Sequence, residues 1–264
     1  MMKVSAIVPC YNEEKTITKV VKTLSSCKLI TELIVVNDGS TDSSLTKLKL
    51  FEEKIILINL KKNSGKGAAL VTGVKKAKGE VVMFIDADVV NLKDKNIKEM
   101  LEPVLKYQWR GVIGIRQKGR LLPAPFARLS GERVYYKADL VLLLKRMEKS
   151  RFGIEVLLNH AFAKKPIKKV KLMKMYGLYK YEKRSPALAI KEYLEEGVEI
   201  AKELAKQEKL RPEDIKIINK LKKAKTFKEL KEIINKISNI KVREYLKKYV
   251  LKYLEKAREW WKKW

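Results

Sequence analysis

Residues 81–88, VVMFIDAD, decide the fold class of this chain. Five consecutive apolar residues, 81–85, predict a buried strand, and two carboxylates follow it directly, at Asp86 and Asp88. Two carboxylates at this spacing are held side by side at a cleft, where they suit a site for Mg²⁺ or Mn²⁺ with a diphosphate. The pattern alone leaves an alternative open, because Asp-x-Asp often does no more than end a strand.

Strands and helices alternate on both sides of this stretch. Further strands are predicted over 4–9, 33–36, 55–58 and 111–116, and helices over 12–24, 43–51, 68–76 and 96–106. This alternation is typical of βαβ units and predicts an α/β fold with a mostly parallel, Rossmann-like sheet. Ligands of such sheets bind beyond the carboxyl ends of the strands. Residues 118–128 are predicted as a loop, with apolar helices expected over 136–144 and 152–162.

Charge and pattern change along the chain. Of the net charge of +29 on 264 residues, residues 1–90 carry +4 and residues 91–264 carry +25. Beyond about residue 185 only Lys/Glu-rich amphipathic helices are found, so we expect an α/β domain over 1–180 and a basic helical extension over 181–264. The positive electrostatic field of residues 91–264 favours an anionic partner, which would be a phosphorylated substrate, an anionic membrane or nucleic acid. A Lys/Glu-rich surface of the thermophile kind is the alternative.

Several classes of protein are not expected. The longest apolar run is about five residues, whereas a membrane-spanning helix needs roughly 20. The N-terminal residues pass straight into a strand pattern, so no signal peptide is expected either. Cys10 and Cys27 have no nearby His or Cys companion, which favours reduced thiols in a cytosolic protein over a disulfide framework or a zinc site.

Two further polar segments fall at predicted strand ends. Asp38 follows the strand over 33–36, although with residues 39–42 it would equally form a turn and helix cap. Residues 63–67, NSGKG, place two glycines and Lys66 before a helix, and free amides beside a lysine suit an anionic ligand. The spacing is not that of a P-loop, which excludes a P-loop NTPase.

Together these segments resemble the family 2 glycosyltransferases of the GT-A fold. Four segments in order carry the resemblance: VSAIVPCYNEE (4–14), ELIVVNDGSTD (32–42), NSGKG (63–67) and FIDAD (84–88). It is strong over residues 1–90, fair to about residue 165 and absent beyond. The resemblance implies an enzyme that transfers a hexose from a nucleotide-diphosphate sugar, with uridine as the expected nucleoside and Mg²⁺ or Mn²⁺ as cofactor.

The resemblance also implies roles at the donor site. Pro9, Tyr11 and Glu13 would line the nucleoside pocket. Asp38 would bind the base, and Lys66 would contact the nucleotide.

The remaining implied roles concern the metal and the acceptor. Asp86 would lie near the ribose and the metal, and Asp88 would ligate the metal that neutralises the leaving diphosphate. Residues 131–133 resemble a Gly-x-Arg segment, so Arg133 would bind an acceptor phosphate, unless it is a surface arginine near a helix start.

Residues 152–155, FGIE, resemble the G-[FY]-G-x-E helix start of relatives that glycosylate phosphorylated small molecules or polyprenyl phosphates, with Arg151 where the first glycine often stands. Glu155 would be the base of an inverting reaction, or an acid that stabilises the dipole of its own helix. His160, the only histidine, is expected to be structural and partly buried.

The last residues leave two alternatives open. Residues 241–264 carry an apolar and aromatic stripe at helical spacing, with nine basic and three acidic side chains. This pattern predicts an interfacial helix on an anionic membrane or a helix docked on the catalytic domain or on a second subunit.

The expected acceptor is therefore lipid-linked or phosphorylated, and the expected location is cytoplasmic, at the inner face of the membrane. A soluble acceptor such as a phosphorylated glycerate is the alternative with the same donor. A basic nucleic-acid-binding module is the alternative from another class, but no nucleic-acid motif is found, so nucleic acid is not an expected partner.

Overall fold

The computed structural model describes residues 2–117, 129–208, 210–224, 226–252, 254–255 and 259. The predicted loop over 118–128 and the tryptophans of the C-terminal stripe lie outside the described residues. The chain forms two compact units. The first comprises Met1–Arg151 with Ala161–Leu178, and the second comprises Phe152–His160 with Tyr179–Trp264.

All strands belong to the first unit within the described residues. They are β1 (Val4–Cys10), β2 (Glu32–Asn37), β3 (Ile56–Asn59), β4 (Val81–Phe84), β5 (Val89–Val90), β6 (Gly111–Gln117), β7 (Arg133–Tyr136), β8 (Ile167–Met173) and β9 (Tyr176–Gly177). Seven of them form one sheet in the order β3-β2-β1-β4-β7-β6-β8. Only β7 runs antiparallel to its neighbours in this sheet, and β5 and β9 form a separate antiparallel pair. The predicted α/β class with a mostly parallel sheet is confirmed.

Helices flank the sheet and build the second unit. Those that follow strands in the first unit are α1 (Ile17–Ser26), α2 (Ser44–Lys49), α3 (Lys66–Lys76), α4 (Asp94–Tyr107), α5 (Lys137–Val141) and α6 (Leu144–Glu148). Helix α7 (Ile154–Ala161) follows, and then α8 (Lys180–Lys183), α9 (Pro186–Gln207), α10 (Pro212–Lys220), α11 (Phe227–Asn235) and α12 (Ile240–Leu246). The core of the first unit contains alternate residues of β1 together with the buried stripe of α1, in keeping with periods of 2 and 3.6.

The structure corrects three expected elements. Residues 133–136 form β7, a buried strand, and the helix expected over 136–144 is two short helices, α5 and α6. Strand β8 was not expected because three lysines interrupt its apolar pattern, and it lies at the edge of the sheet, where lysines are tolerated. Helix α1 begins at Ile17 rather than near residue 12, because Asn12 has a φ of 55° and cannot continue a right-handed helix.

The helices of the second unit pack around their own apolar core. The described part of the C-terminal stripe contributes to this core, because Val242, Leu246, Val250, Leu251 and Leu254 are all buried in it. These residues pack within the helical unit itself, a partner that neither alternative named, and their apolar face is not available to a lipid surface. No helix in the described ranges has both the length and the apolar composition to cross a membrane.

Candidate active site

The carboxyl ends of β1, β2 and β4 lie together at one edge of the sheet, because the three strands are parallel neighbours. Asp38 extends β2 by one residue, and its N–H donates to the Cys10 carbonyl at 2.8 Å. Ile85 extends β4 in the same way towards the Ile7 carbonyl at 3.1 Å. The polar segments that follow these strands therefore adjoin one another.

Asn12 ties the segment after β1 to the segment after β2. Its N–H donates to Ser40 Oγ at 2.9 Å, and its Oδ1 accepts from the N–H groups of Thr41 at 2.7 Å and Asp42 at 3.3 Å. A left-handed residue with a short amide side chain suits this role. The first two sequence segments thus form one connected rim.

The residues predicted to line the nucleoside pocket lie on this rim. Pro9 is half-buried near the end of β1, and Tyr11 beyond it is 36% exposed. Glu13 is half-buried, and its N–H donates to Ser44 Oγ at 2.8 Å. The structure brings the three together along one short stretch of backbone, and their contact with a nucleoside stays a prediction.

Asp38 holds the turn that leads into α3. Its two carboxylate oxygens accept the N–H groups of Ser64 at 2.7 Å and Gly65 at 2.8 Å. Gly65 has a φ of 93°, which a residue with a side chain rarely adopts. Burial raises the pKa of Asp38, although the two N–H groups and the charge of Arg151 act in the opposite direction. Asp38 is 3% exposed and links β2 to the start of α3, and its contact with a base stays a prediction.

The two aspartates after β4 lie among cations. Lys66, the first residue of α3, places Nζ 2.6 Å from Asp86 Oδ1. Arg116, near the end of β6, reaches Asp88 Oδ1 at 3.2 Å, Asp86 Oδ2 at 3.8 Å and Glu132 Oε2 at 3.3 Å. Burial acts to lower the pKa of Arg116, but the three carboxylates outweigh it and raise that pKa, so the guanidinium stays charged. The cluster therefore combines three carboxylates and two cations.

Arg116 and Glu132 were not among the predicted site residues. Glu132 is fully buried, its Oε2 accepts from Ser130 Oγ, and its Oε1 has no hydrogen-bond partner. Burial raises the pKa of Glu132, and Arg116 opposes that rise. The sequence could have indicated Arg116, because the strand predicted over 111–116 ends there. Ligand-binding residues gather at the carboxyl ends of the strands in such sheets.

The backbone of Gly131 lies close against the carboxylate of Asp86. A Cβ atom added there would lie 2.2 Å from Asp86 Oδ2 and 2.3 Å from Asp86 Oδ1. Only a residue without a side chain allows the backbone to lie against this carboxylate. The segment between Asp86 and Asp88 is fixed from the other side, because Thr16 Oγ1 donates to the Ala87 carbonyl at 2.7 Å.

Arg133 is buried in the sheet. Its side chain is 1% exposed within β7, its Nε donates to the Ser130 carbonyl at 2.7 Å, and a terminal nitrogen donates to Tyr135 Oη at 2.9 Å. Arg133 is therefore not the surface arginine of the alternative, and its binding of an acceptor phosphate stays a prediction. Arg116 forms the ion pairs with Asp86 and Asp88 described above.

Glu155 belongs to the second unit. It is 7% exposed in the first turn of α7, a position where a carboxylate also stabilises the helix dipole. The segment before it is anchored in the same unit, since the Phe152 N–H donates to Glu199 Oε2 at 3.3 Å. The role of Glu155 as a base stays a prediction. His160 is exposed, which corrects the expectation that it is partly buried.

The chemistry of the carboxylates fits a divalent cation. Asp86 and Asp88 offer hard oxygen donors, which Mg²⁺ and Mn²⁺ prefer, and Mg²⁺ is commonly bound by one or two carboxylates with substrate phosphates. Across the part of the chain that the structure describes, no three His, Cys, Asp or Glu side chains are placed to hold one metal ion. A pair of carboxylates that shares the cation with substrate phosphates is a common donor set for Mg²⁺.

Comparison with known proteins gives sequence relatives and structural neighbours. The chain is 32% identical over 126 residues to undecaprenyl-phosphate 4-deoxy-4-formamido-L-arabinose transferase of Proteus mirabilis, over 45% of this chain and 38% of that protein. It is 34% identical over 128 residues to the enzyme of that name from Photorhabdus laumondii, with the same coverage. The chain thus matches well under half the length of these relatives.

The structural neighbours show the fold. The crystal structure of glucosyl-3-phosphoglycerate synthase from Mycobacterium tuberculosis, in complex with Mn²⁺, UDP and phosphoglyceric acid, has a TM-score of 0.56 and 24% identity, over 67% of this chain and 71% of that one. A complex of that enzyme with Mn²⁺, UDP-glucose and glycerol 3-phosphate gives the same TM-score and identity.

A family model decides the classification. The model described as Glycosyl transferase family 2 matches residues 5–169. This span contains all but the first residue of β1, then β2 to β7, the two aspartates after β4 and the cations beside them. This span is well over half of the chain, and the α/β fold agrees with it. The chain is therefore a glycosyltransferase that belongs to glycosyl transferase family 2.

Proposed function

We propose that this enzyme transfers a hexose from a UDP-sugar to the phosphate of a lipid-linked acceptor, with Mg²⁺ or Mn²⁺ as cofactor. The observation that carries the proposal is the cluster of Asp86 and Asp88 with Lys66 and Arg116 at the carboxyl ends of the strands. Paired carboxylates with adjacent cations suit a diphosphate bound through a divalent metal.

The donor would extend along the edge of the sheet. Asp38 follows β2 and Asp86 follows β4, and β1 lies between those strands, so the two ends of the site are about 10 Å apart. An extended nucleoside diphosphate can bridge that separation, with its nucleoside near the rim and its diphosphate near Lys66. The N-terminus of α3 adds a partial positive charge on the diphosphate side.

Charge accumulates on the diphosphate when it leaves the sugar. A bound divalent cation would neutralise part of this charge as a Lewis acid. Lys66 and Arg116 are already held beside the aspartates by ion pairs, so their charges need little rearrangement to stabilise the leaving group. The positions of Lys66 and Arg116 therefore support the proposed function independently of the divalent metal ion.

The acceptor assignment rests on the relatives and on phosphate chemistry. The two curated relatives are named for undecaprenyl phosphate, and the structural neighbours were crystallised with small phosphorylated acceptors. An acceptor phosphate is ionised at neutral pH and would attack the anomeric carbon directly, forming a carbon–oxygen bond as the bond to UDP breaks. A hydroxyl acceptor would need a base, the role predicted for Glu155.

The lipid acceptor would place the enzyme at the cytosolic face of a membrane. The buried stripe of the second unit does not support contact through its apolar face. Contact through residues 241–264 would instead use exposed basic side chains such as Lys241, Lys248 and Lys252, each adding about 1 kcal/mol near anionic lipids.

A transfer assay tests the acceptor. Labelled UDP-sugars are incubated with the protein and Mn²⁺, and with either undecaprenyl phosphate in detergent or 3-phosphoglycerate. We expect label in the organic phase after butanol extraction, and we expect EDTA to abolish it. Label only on 3-phosphoglycerate would establish the soluble-acceptor alternative.

The variant Glu155→Gln adds a second readout. Transfer to a lipid phosphate should be retained, whereas transfer to a hydroxyl should be lost with the base. If the wild-type enzyme transfers sugar to neither acceptor from any UDP-sugar, this result contradicts the proposed function.

A further inference from the structure

Strand β8 and the residues on either side of it form a strip of positive charge over residues 164–174. This β8 strip contains no acidic residue, and its net charge of +6 comes from six lysines: Lys164, Lys165, Lys168, Lys169, Lys171 and Lys174. All six lysines are exposed. Because β8 is the last strand in the order of the sheet, the strip follows an outer edge of that sheet.

Most of this charge is not neutralised by the described part of the chain. Lys165 Nζ lies 2.7 Å from Asp139 Oδ1, and none of the other five lysines forms an ion pair with a described carboxylate. On a Lys/Glu-rich thermophile surface lysines pair with acids, as Lys98 does with Asp94 at 2.7 Å. Lysines also protect edge strands from pairing with other sheets, but three of the six lie outside β8. Neither explanation accounts for the whole strip.

The β8 strip also exposes an apolar side chain. Side chains alternate between the two faces of a strand, so Lys169, Lys171 and Met173 share one face of β8. Met173 is 61% exposed, whereas Leu172 on the other face is fully buried. An exposed apolar side chain among lysines suits a lipid surface, because the apolar group enters the interface while the ammonium groups stay with the headgroup phosphates.

The carboxyl end of the β8 strip lies at the sheet edge that carries the candidate active site. Strand β8 is parallel to β6, and Leu172 is in register with Arg116. Arg116 in turn lies 3.2 Å from Asp88 Oδ1. Lys174 therefore follows β8 at the edge where Asp88 is found. A lipid phosphate in a leaflet that contacts Lys174 would be presented at that same edge.

We propose that the β8 strip docks the first unit on an anionic lipid surface, with its lysines at the headgroup phosphates and Met173 in the interface. This inference rests on the proposed function, in which the acceptor is a lipid phosphate, and it names the surface that meets the lipid. The apolar stripe of the second unit does not provide such a surface, because it is buried. A nucleic acid would complement the charge equally but would not explain the exposed methionine.

The test measures sedimentation of the full chain with vesicles at about 0.1 M salt, where charges are screened beyond about 10 Å. One set of vesicles contains phosphatidylcholine alone, and the other contains phosphatidylcholine mixed with phosphatidylglycerol. The strip variant combines three substitutions of exposed lysines, Lys169→Gln, Lys171→Gln and Lys174→Gln.

The control variant removes the same charge from another part of the first unit. It combines substitutions of three exposed lysines between the last turn of α3 and the start of β4, namely Lys75→Gln, Lys76→Gln and Lys78→Gln. These residues precede β4, at the opposite edge of the sheet from Asp88. A strand of seven residues spans about 23 Å, so the control lysines lie beyond the screening distance.

We expect the wild type to bind the mixed vesicles and not phosphatidylcholine alone. A lysine at an anionic leaflet strengthens binding about fivefold, so the strip variant should bind at least tenfold more weakly than the wild type. The control variant should stay within about twofold of the wild type. Contributions of distant basic groups multiply in the affinity, so contact through residues 241–264 would leave these ratios unchanged.

Three results would overturn the inference. The first is equal affinity of the strip and control variants for the mixed vesicles. The second is a wild type that binds both kinds of vesicle equally, or neither. The third is a wild type that binds an oligonucleotide of mixed sequence but no vesicles, which would assign the strip to nucleic acid.

UDP binding with Mn²⁺ is measured on the same proteins and tests the proposed function separately. We expect the wild type and both variants to bind UDP equally, which also shows that the substitutions leave the first unit folded. A wild type that binds the mixed vesicles but no UDP would contradict the proposed function rather than the docking surface.

Discussion

Replacing Gly131 with alanine should displace Asp86 without unfolding the protein. The new Cβ would lie 2.2 Å from Asp86 Oδ2, whereas real Cβ atoms essentially never approach a non-bonded heavy atom within 3.0 Å. The carboxylate must therefore retreat by about 0.8 Å, since it is the end of a side chain and moves more readily than backbone. That movement disturbs the 2.6 Å contact with Lys66. Overpacking of this kind costs about 1–3 kcal/mol of stability.

The effect on activity should be larger than the effect on stability. Misplacement of a catalytic group by about 1 Å lowers the rate roughly 100-fold, equivalent to about 2.7 kcal/mol of transition-state stabilisation. The assay is the initial rate of Mn²⁺-dependent UDP release from a UDP-sugar, with thermal melting measured in parallel.

The control substitution is Gly197→Ala. Its Cβ would also meet a neighbour at 2.2 Å, but that neighbour is Val250 Cγ2 in the second unit. We expect Gly197→Ala to affect melting and leave the rate of UDP release nearly unchanged. The reasoning is refuted if Gly131→Ala retains the wild-type rate, or loses no more activity than Gly197→Ala does.

Three further predictions concern the metal, a buried thiol and the second unit. Asp88→Asn should abolish the Mn²⁺ dependence of UDP binding in a titration. Asp94→Asn, at an exposed helix start, should preserve that dependence. If both variants behave alike, Asp88 is not a ligand of the metal ion. Burial, assisted by Glu13, raises the pKa of the Cys10 thiol from 9.0 to about 12, so unfolding releases its proton between these pH values. Below pH 9 the free energy of unfolding should therefore not depend on the Cys10 thiol. Above pH 9 it should fall by up to about 1.4 kcal/mol per pH unit. Chemical denaturation of Cys10→Ala should lack this slope. Leu246→Ala should destabilise the second unit by about 2–5 kcal/mol, because Leu246 is fully buried. Ile240 is 66% exposed, so Ile240→Ala should change the stability by less than about 0.5 kcal/mol. Similar melting temperatures of these two variants would contradict the packing of α12.

Local sequence patterns were sufficient to predict the parallel part of the sheet. Apolar runs separated by helical periodicity identified β1 to β4 and β6, and the polar segments at their ends do adjoin in the structure. The reason is geometric, because parallel neighbours with helical crossovers place their carboxyl ends at one edge. The proximity of Lys66 to Asp86 follows from that rule.

The rest of the site depends on contacts between residues far apart in the sequence. Arg116 meets Glu132 and Asp88 because β6 and β4 lie on either side of the antiparallel β7, and no local pattern predicts that strand order. The burial of Arg133 could not be predicted for the same reason. In the sequence, the four residues of β7, which begin with Arg133, look like the segment before a helix. Its hydrogen bonds form only in the folded sheet.

The C-terminal stripe shows a different limit of pattern reasoning. An apolar stripe at helical spacing with basic flanks is compatible with a lipid surface and with a protein core, because both require one apolar face. Only the packing of Val242 and Leu246 within the second unit distinguishes the two for the described residues.

The central claim is tested most directly by a calorimetric titration of the protein with UDP, in the presence and absence of Mn²⁺, alongside CDP, GDP and ADP. We predict that UDP binds with Mn²⁺ and that removing Mn²⁺ weakens its binding at least tenfold, which corresponds to about 1.4 kcal/mol. Absence of binding by all four nucleotides in the presence of Mn²⁺ would contradict the assignment of this sheet edge as a nucleotide-sugar site.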